Sequence, residues 1–148
     1  MYRATENGDR ASDFHRFCDN KGPTLTICKT KKGYIFGGFA SVNRDSSGNY
    51  KSDPDAFVFS LNKKKIYKTR DVSKSIVCQE NQGPRFGNGS AFEIHDNCLS
   101  QNAQNYSEKS TSYGDNLGLT EDERFLLDEV EVLLIEYDWI FVLITKHY

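Results

Sequence analysis

Residues 19–42 read DNKGPTLTICKTKKGYIFGGFASV, and after a polar insert residues 50–67 read YKSDPDAFVFSLNKKKIY. Within them the runs 25–29, 34–41 and 56–61 are rich in β-branched and aromatic residues and are bounded by Gly, Pro, Asn and Asp, the pattern of antiparallel strands. Leu25 and Ile27 alternate with Thr24, Thr26 and Cys28, and Phe57, Phe59 and Leu61 alternate with Ala56, Val58 and Ser60, so each strand carries one apolar face. Thr30-Lys31-Lys32-Gly33 has the length of a hairpin turn, with Gly33 free to take a positive φ. Gly37-Gly38 inside the second run predicts a bulge or a place where a backbone or a large ring packs close.

Outward from this stretch, Ser12 can cap a short helix whose Phe14, Phe17 and Cys18 share one face, stopped by Asp19-Asn20-Lys21-Gly22-Pro23. Residues 43–54 read as a long surface loop ended by Asp53-Pro54. Further strands are expected at 66–68, 75–79, 91–95 and 126–135, with a glycine-rich turn across 81–90. On the last of these strands Val130, Val132 and Leu134 face in and Glu129 and Glu131 face the other way. The polar segment 96–116 reads as a loop partly ordered by Tyr106 and Tyr113 anchoring on a sheet. Many short strands and few helices predict a mainly β (α+β) fold, a two-sheet antiparallel β-sandwich with short flanking helices.

The 148 residues amount to one domain. A net charge of -2 gives no reason to expect nucleic acid or an anionic membrane as partner, and Lys63-Lys64-Lys65 reads as a solvated turn. No apolar leader follows Met1, and the apolar run 130–145 is interrupted by Glu131, Glu136 and Asp138 and falls short of the roughly 20 residues that span a bilayer. The expectation is a cytoplasmic protein in which Asn88 and Asn105, both in glycosylation-type triplets, stay unmodified. Cys18, Cys28, Cys78 and Cys98 form no CxxC pair; they are expected as thiols, with Cys28 and Cys78 in the core.

Three constellations are candidates for chemistry. The pairs His15/Cys18 and His95/Cys98 each have His-x-x-Cys spacing and together hold the ligand types that zinc prefers, provided that they meet in space. Cys18 beside His15, with Glu131 as a third group, has the composition of an activated nucleophile. Against a reaction, His15 and Cys18 sit at a helical spacing that brings side chains together without chemistry, and no elbow such as GxSxG surrounds a serine. The turn GPRFGNGS lacks the GK[ST] ending of a phosphate cradle and precedes a strand rather than a helix. Asp19 beside Cys18 and Asp96 near Cys98 raise thiol pKa, which opposes direct peroxide scavenging.

Four ordered pieces, CDNKGPTLTICKTKKGYIFGGFASVN, YKSDPDAFVFSLNKKKIY, GPRFGNGSAFEIHDNC and FLLDEVEV, resemble a TLDc domain of the kind found in protists and fungi, over Tyr2 to about Leu133. The resemblance implies a β-sandwich with flanking helices, with no general cofactor or reaction attached to it. It further implies a protein-binding module linked to oxidative-stress resistance and to regulation of the vacuolar-type proton ATPase, with the acidic position matched by Glu131 regarded as functional. On this reading residues 1–135 form the TLDc domain without its usual amino-terminal lead-in, Tyr2-Arg3-Ala4 being the tail of its first strand, and 136–148 form an atypical apolar tail. Asn7 stands before Gly8 where many animal members carry His. The alternative function is a hydrolase or metal-dependent enzyme built on His15, Cys18 and Glu131.

Overall fold

A computed structural model describes residues 1–136 of the chain. Two antiparallel sheets face each other. The larger orders its strands β1-β10-β2-β3-β5-β6 and the smaller β4-β7-β8-β9. In chain order the elements are β1 (Tyr2–Arg3), α1 (Ala4–Asn7), α2 (Ala11–Cys18), β2 (Thr24–Thr30), β3 (Ile35–Ala40), β4 (Tyr50–Lys51), β5 (Phe57–Ser60), β6 (Lys65–Lys68), a short 3-10 turn (Val72–Lys74), β7 (Ile76–Val77), β8 (Gln82–Phe86), β9 (Phe92–His95) and β10 (Leu127–Leu134). The expected sandwich with short helices at its flanks is the fold observed.

The core lies between the sheets and is largely aromatic. Phe36 of β3 meets Phe92 of β9 edge-on at 5.2 Å and Phe125 at 5.3 Å, and Phe86 of β8 packs on Phe92 at 5.0 Å. Burying each such ring removes enough apolar surface to stabilise the fold by roughly 2–3 kcal/mol. Gly37 and Gly38 are the close approach that the missing side chains predict. A Cβ on Gly38 would lie 2.6 Å from the Phe86 ring, and one on Gly37 would run into the Thr26 carbonyl. The β2–β3 register is continuous through both, so close packing and no bulge accounts for them.

The inner face of the large sheet is not its greasiest one. Thr24, Thr26, Cys28 and Thr30 of β2, and Val58 and Ser60 of β5, are buried against the second sheet, whereas Leu25, Ile27 and Phe57 on the opposite face are only half-buried. Two hydroxyls on the inner face, Thr24 Oγ1 and Thr26 Oγ1, find no hydrogen-bond partner among the described residues. On β10 Val130 and Val132 face in as expected, but Leu134, at the strand's end, is 42% exposed and outside the core.

Other expectations shift. The glycine-rich 81–90 is a turn only from Gly87 onward, because Gln82–Phe86 forms β8, paired with both β7 and β9. The 43–54 insert contributes β4 to the second sheet and buries Arg44 and Asp53; the Asp53 carboxylate accepts the backbone N–H of Ser41 at 2.6 Å and of Asp55 at 3.1 Å. Helix α2 starts one residue before Ser12. Its first turn is held by carboxylates, with Asp13 accepting the Arg10 N–H at 3.2 Å and Asp96, from the end of β9, accepting the Ala11 N–H at 2.8 Å. Asp96 is 85 residues away in sequence, so no local pattern announces that cap.

The long polar segment after β9 is ordered because its polar groups turn inward. Tyr106 pairs its backbone with Glu93 and Arg124, and the buried Tyr113 hydroxyl donates to the Ser75 carbonyl at 2.7 Å. Buried Asn105 donates to the Cys98 carbonyl at 2.8 Å and accepts the His95 N–H at 2.9 Å. These bonds satisfy backbone groups that a buried loop would otherwise leave unpaired. The apolar stretch 137–148, expected as an extra strand or an aggregation-prone tail, lies outside the described residues.

Candidate functional site

His15 is the most heavily bonded of the candidate residues. It projects from α2 with Nδ1 2.8 Å from Asp19 Oδ1 and Nε2 2.7 Å and 2.8 Å from the carbonyl oxygens of Gln79 and Gln82. The second Asp19 oxygen accepts the Ser46 hydroxyl at 2.7 Å. One imidazole therefore ties α2, the 43–49 loop and the turn between β7 and β8 into a single unit. A polar groove of about 1090 Å³ runs alongside, with Arg10, Arg16, Ser46, Glu80 and Asn97 in its walls. Asp19 and the two carbonyls occupy the hydrogen-bonding directions of both ring nitrogens, so neither nitrogen points into open space where a substrate or a metal ion could reach it.

Cys18 lies on the same helix, fully buried, and makes no hydrogen bond to His15 among the described residues. Its thiol is pushed up to about 12 by burial, with Asp19 adding to the rise and Arg44 opposing it. Cys98 is likewise raised to about 12 by burial, and by Asp9 and Asp96; burial also raises Cys28 and Cys78. The acidic neighbours visible in sequence act in the expected direction, but desolvation is the larger cause. All four cysteines are free and buried, so none presents the exposed, ionised sulfur that reacts with peroxide.

The remaining candidates lie in other settings. Glu131, on β10, points to the outer face of the large sheet, where its carboxylate lies 3.3 Å from the Arg3 guanidinium. No hydrogen bond joins it to His15 or Cys18 among the described residues. His95 Nε2 lies 2.8 Å from Glu93 Oε1, and no group of three or more His, Cys, Asp or Glu side chains among the described residues is spaced to hold a metal ion. The two His-x-x-Cys pairs therefore do not converge.

Two arrangements were not found from sequence. Glu93, 9% exposed, accepts the Ser90 hydroxyl at 2.8 Å, faces His95, and has Arg85 Nε 3.2 Å from Oε2. Serine, histidine and carboxylate are all present, yet the serine bonds the carboxylate and not the imidazole, so the three are not in the serine–imidazole–carboxylate order of an activated nucleophile. The Glu-Ile-His alternation, which puts Glu93 and His95 on one side of β9, was the available signal. Arg44 is the other: a buried guanidinium 4.8 Å from the Phe86 ring centre and 6.0 Å from that of Phe14, with Nε and one terminal nitrogen unpartnered among the described residues. Burial lowers its pKa. Its place in a polar insert gave no hint of burial.

The family described as TLDc domain matches residues 1–136. The chain belongs to the TLDc family. Among curated proteins it is similar to the MTOR-associated protein MEAK7 of Danio rerio, 41% identical over 44 residues, a stretch that is 30% of this chain and 10% of that relative. The likeness is thus to a vertebrate protein and is not particular to protist or fungal members, and the matched stretch spans about a tenth of the relative's length. Among the described residues no helix is long and apolar enough to cross a membrane.

Proposed function

We propose that this TLDc domain works by binding other proteins and catalyses no reaction. The observation that carries the reading is the fate of its reactive side chains: thiols buried and held protonated, and the His15 ring closed by acceptors on both nitrogens. The half-exposed apolar layer on the outer face of the large sheet supplies surface of the kind that proteins recognise. A relative named for its association with another protein supports the same reading. The finer proposal is that the domain acts in the cytoplasm, docks on the vacuolar-type proton ATPase, regulates it, and thereby contributes to oxidative-stress resistance.

The test is reconstitution. Purified chain added to purified vacuolar-type proton ATPase should co-sediment with it and change its ATP hydrolysis or the fraction of assembled enzyme. A quadruple Cys→Ala variant that still folds should do the same and protect cells from peroxide equally well. Failure to bind the ATPase would sink the finer proposal; loss of peroxide protection in the cysteine variant, with binding intact, would restore a chemical role.

A further inference from the structure

Strand β6 ends the large sheet, with β5 on one side and no strand of the described residues on the other. Its ladder tells which backbone groups face the open side. Thr69 donates its N–H to the Ala56 carbonyl at 3.1 Å, so Thr69 and Ala56 form a hydrogen-bonded pair. Such pairs alternate along an antiparallel ladder, which assigns hydrogen-bonded positions to Tyr67 with Val58 and to Lys65 with Ser60, and leaves Ile66 and Lys68 between them. The N–H and C=O of Ile66 and of Lys68 therefore point away from β5, and no other backbone group of the described residues bonds them. Both residues are exposed, Ile66 to 64%, while Tyr67 turns inward and its hydroxyl donates to the Leu117 carbonyl at 2.9 Å, which fixes the strand in place.

This edge is basic. Lys63, Lys64, Lys65 and Lys68 are exposed, and none of them is in an ion pair among the described residues. The acidic side chains of the flanking turns leave them uncompensated: Asp71 accepts the Ser73 hydroxyl at 2.7 Å, and Asp115, in the loop whose Gly118 lies against the Lys63 side chain, pairs with none of the four. Lysines on an edge strand keep copies of a chain from pairing there, because two such edges repel each other. The same charges attract an acidic strand. A nucleic acid backbone offers phosphate acceptors alone and leaves both edge carbonyls unmet, whereas an extended peptide presents donors and acceptors at the two-residue repeat of roughly 6.7 Å that separates Ile66 from Lys68.

We propose that the open edge of β6 is a docking site for an extended acidic segment of another protein, which adds to the large sheet as a further antiparallel strand. Residues opposite each other in such a pair share a face. The segment therefore carries an acidic residue opposite Lys68, an apolar one opposite Ile66 and a second acidic one opposite Lys65, the order acidic, any, apolar, acidic from its amino end. Main-chain bonds to Ile66 and Lys68 supply affinity and the three side chains supply specificity. The inference rests on the reading of the domain as a protein-binding module and does not depend on which protein it binds.

The test is fluorescence anisotropy of a labelled synthetic peptide with the core Glu-Thr-Val-Glu, titrated with the full 148-residue chain. Saturable binding is expected at low ionic strength, weakened as salt screens the charges. Lys65→Glu/Lys68→Glu should weaken it at least tenfold, with folding checked by circular dichroism. Methylating the peptide's valine nitrogen, which faces the Ile66 carbonyl, should weaken binding to the native chain at least fivefold with charge unchanged. Methylating its threonine nitrogen, which faces away, should change binding little. Absence of binding, equal losses on methylating either residue, or an oligothymidylate that binds as tightly as the peptide would each overturn the proposal. Peptide failure beside intact co-sedimentation with the proton ATPase would remove this site and leave the protein-binding reading standing; peptide binding without co-sedimentation would keep the site and remove the ATPase as its target.

Discussion

The two faces of β2 differ in the opposite sense from the usual expectation. Its buried face is Thr24, Thr26, Cys28 and Thr30, small and largely polar, while its larger apolar side chains, Leu25 and Ile27, stand on the half-exposed outer face. The inner face can be modest because its partners are large. Phe36, Phe86, Phe92 and Tyr113 fill the space between the sheets, and a second layer of bulky side chains from β2 would not fit above them. Alternation says that a strand has two unlike faces; volume across the gap decides which of them turns inward.

The sharpest way to break this comparison is to remove one ring from each face. Phe36→Ala, on the inner face, should lower stability by about 3–5 kcal/mol, and Phe57→Ala, on the outer face, by well under half of that, as read by urea unfolding. Equal losses would mean that the outer face is as much a core as the inner. Next in size is Gly38→Ala. Its new methyl group meets the Phe86 ring, and a loss of about 1–3 kcal/mol is expected. Smaller, and of opposite sign, is Thr26→Val. A buried hydroxyl with no partner among the described residues is exchanged for a methyl group of the same shape, so stability should hold or rise by about 1 kcal/mol. A clear loss would show that the hydroxyl is bonded after all. Ile66→Glu, at a residue 64% exposed, should change stability by no more than about 0.5 kcal/mol.

The thiols give a pH dependence with a definite sign. Cys18 and Cys98 ionise near 9 when unfolded and near 12 when folded, both raised chiefly by burial. Between those values the unfolded chain has lost protons that the folded chain keeps, so stability is fully present below about pH 9 and falls as pH rises toward 12. Iodoacetamide at pH 8 should leave the native protein unlabelled and modify all four cysteines after unfolding. Rapid labelling of a native cysteine would contradict the burial described.

Much of the fold was legible because it rests on local signals. Strand runs bounded by turn residues, Gly37-Gly38 as a close approach, and Tyr106 and Tyr113 as anchors of a polar loop all follow from nearest neighbours in sequence. The failures share the opposite property. Strand β8 was hidden because Gly83, Pro84 and Gly87 imitate a turn, and only pairing with β7 and β9 makes Gln82–Phe86 a strand. Asp96 caps α2 across 85 residues, and His15 is closed by carbonyls 64 and 67 residues away. The candidate set of His15, Cys18 and Glu131 was assembled from residue types. In space Glu131 belongs to the outer sheet face with Arg3, whereas His15 belongs to the junction of α2 with the β7–β8 turn.

That the outer face is surface for another protein, while the inner one holds the fold, is most directly tested by hydroxyl-radical footprinting of the full chain, read residue by residue by mass spectrometry. Leu61 and Ile66 should oxidise readily, Phe39 and Phe57 measurably, and Phe36, Val58, Phe86 and Phe92 hardly at all. Uniform protection of both faces, or oxidation of Phe36 and Phe86 ahead of Ile66, would contradict the account.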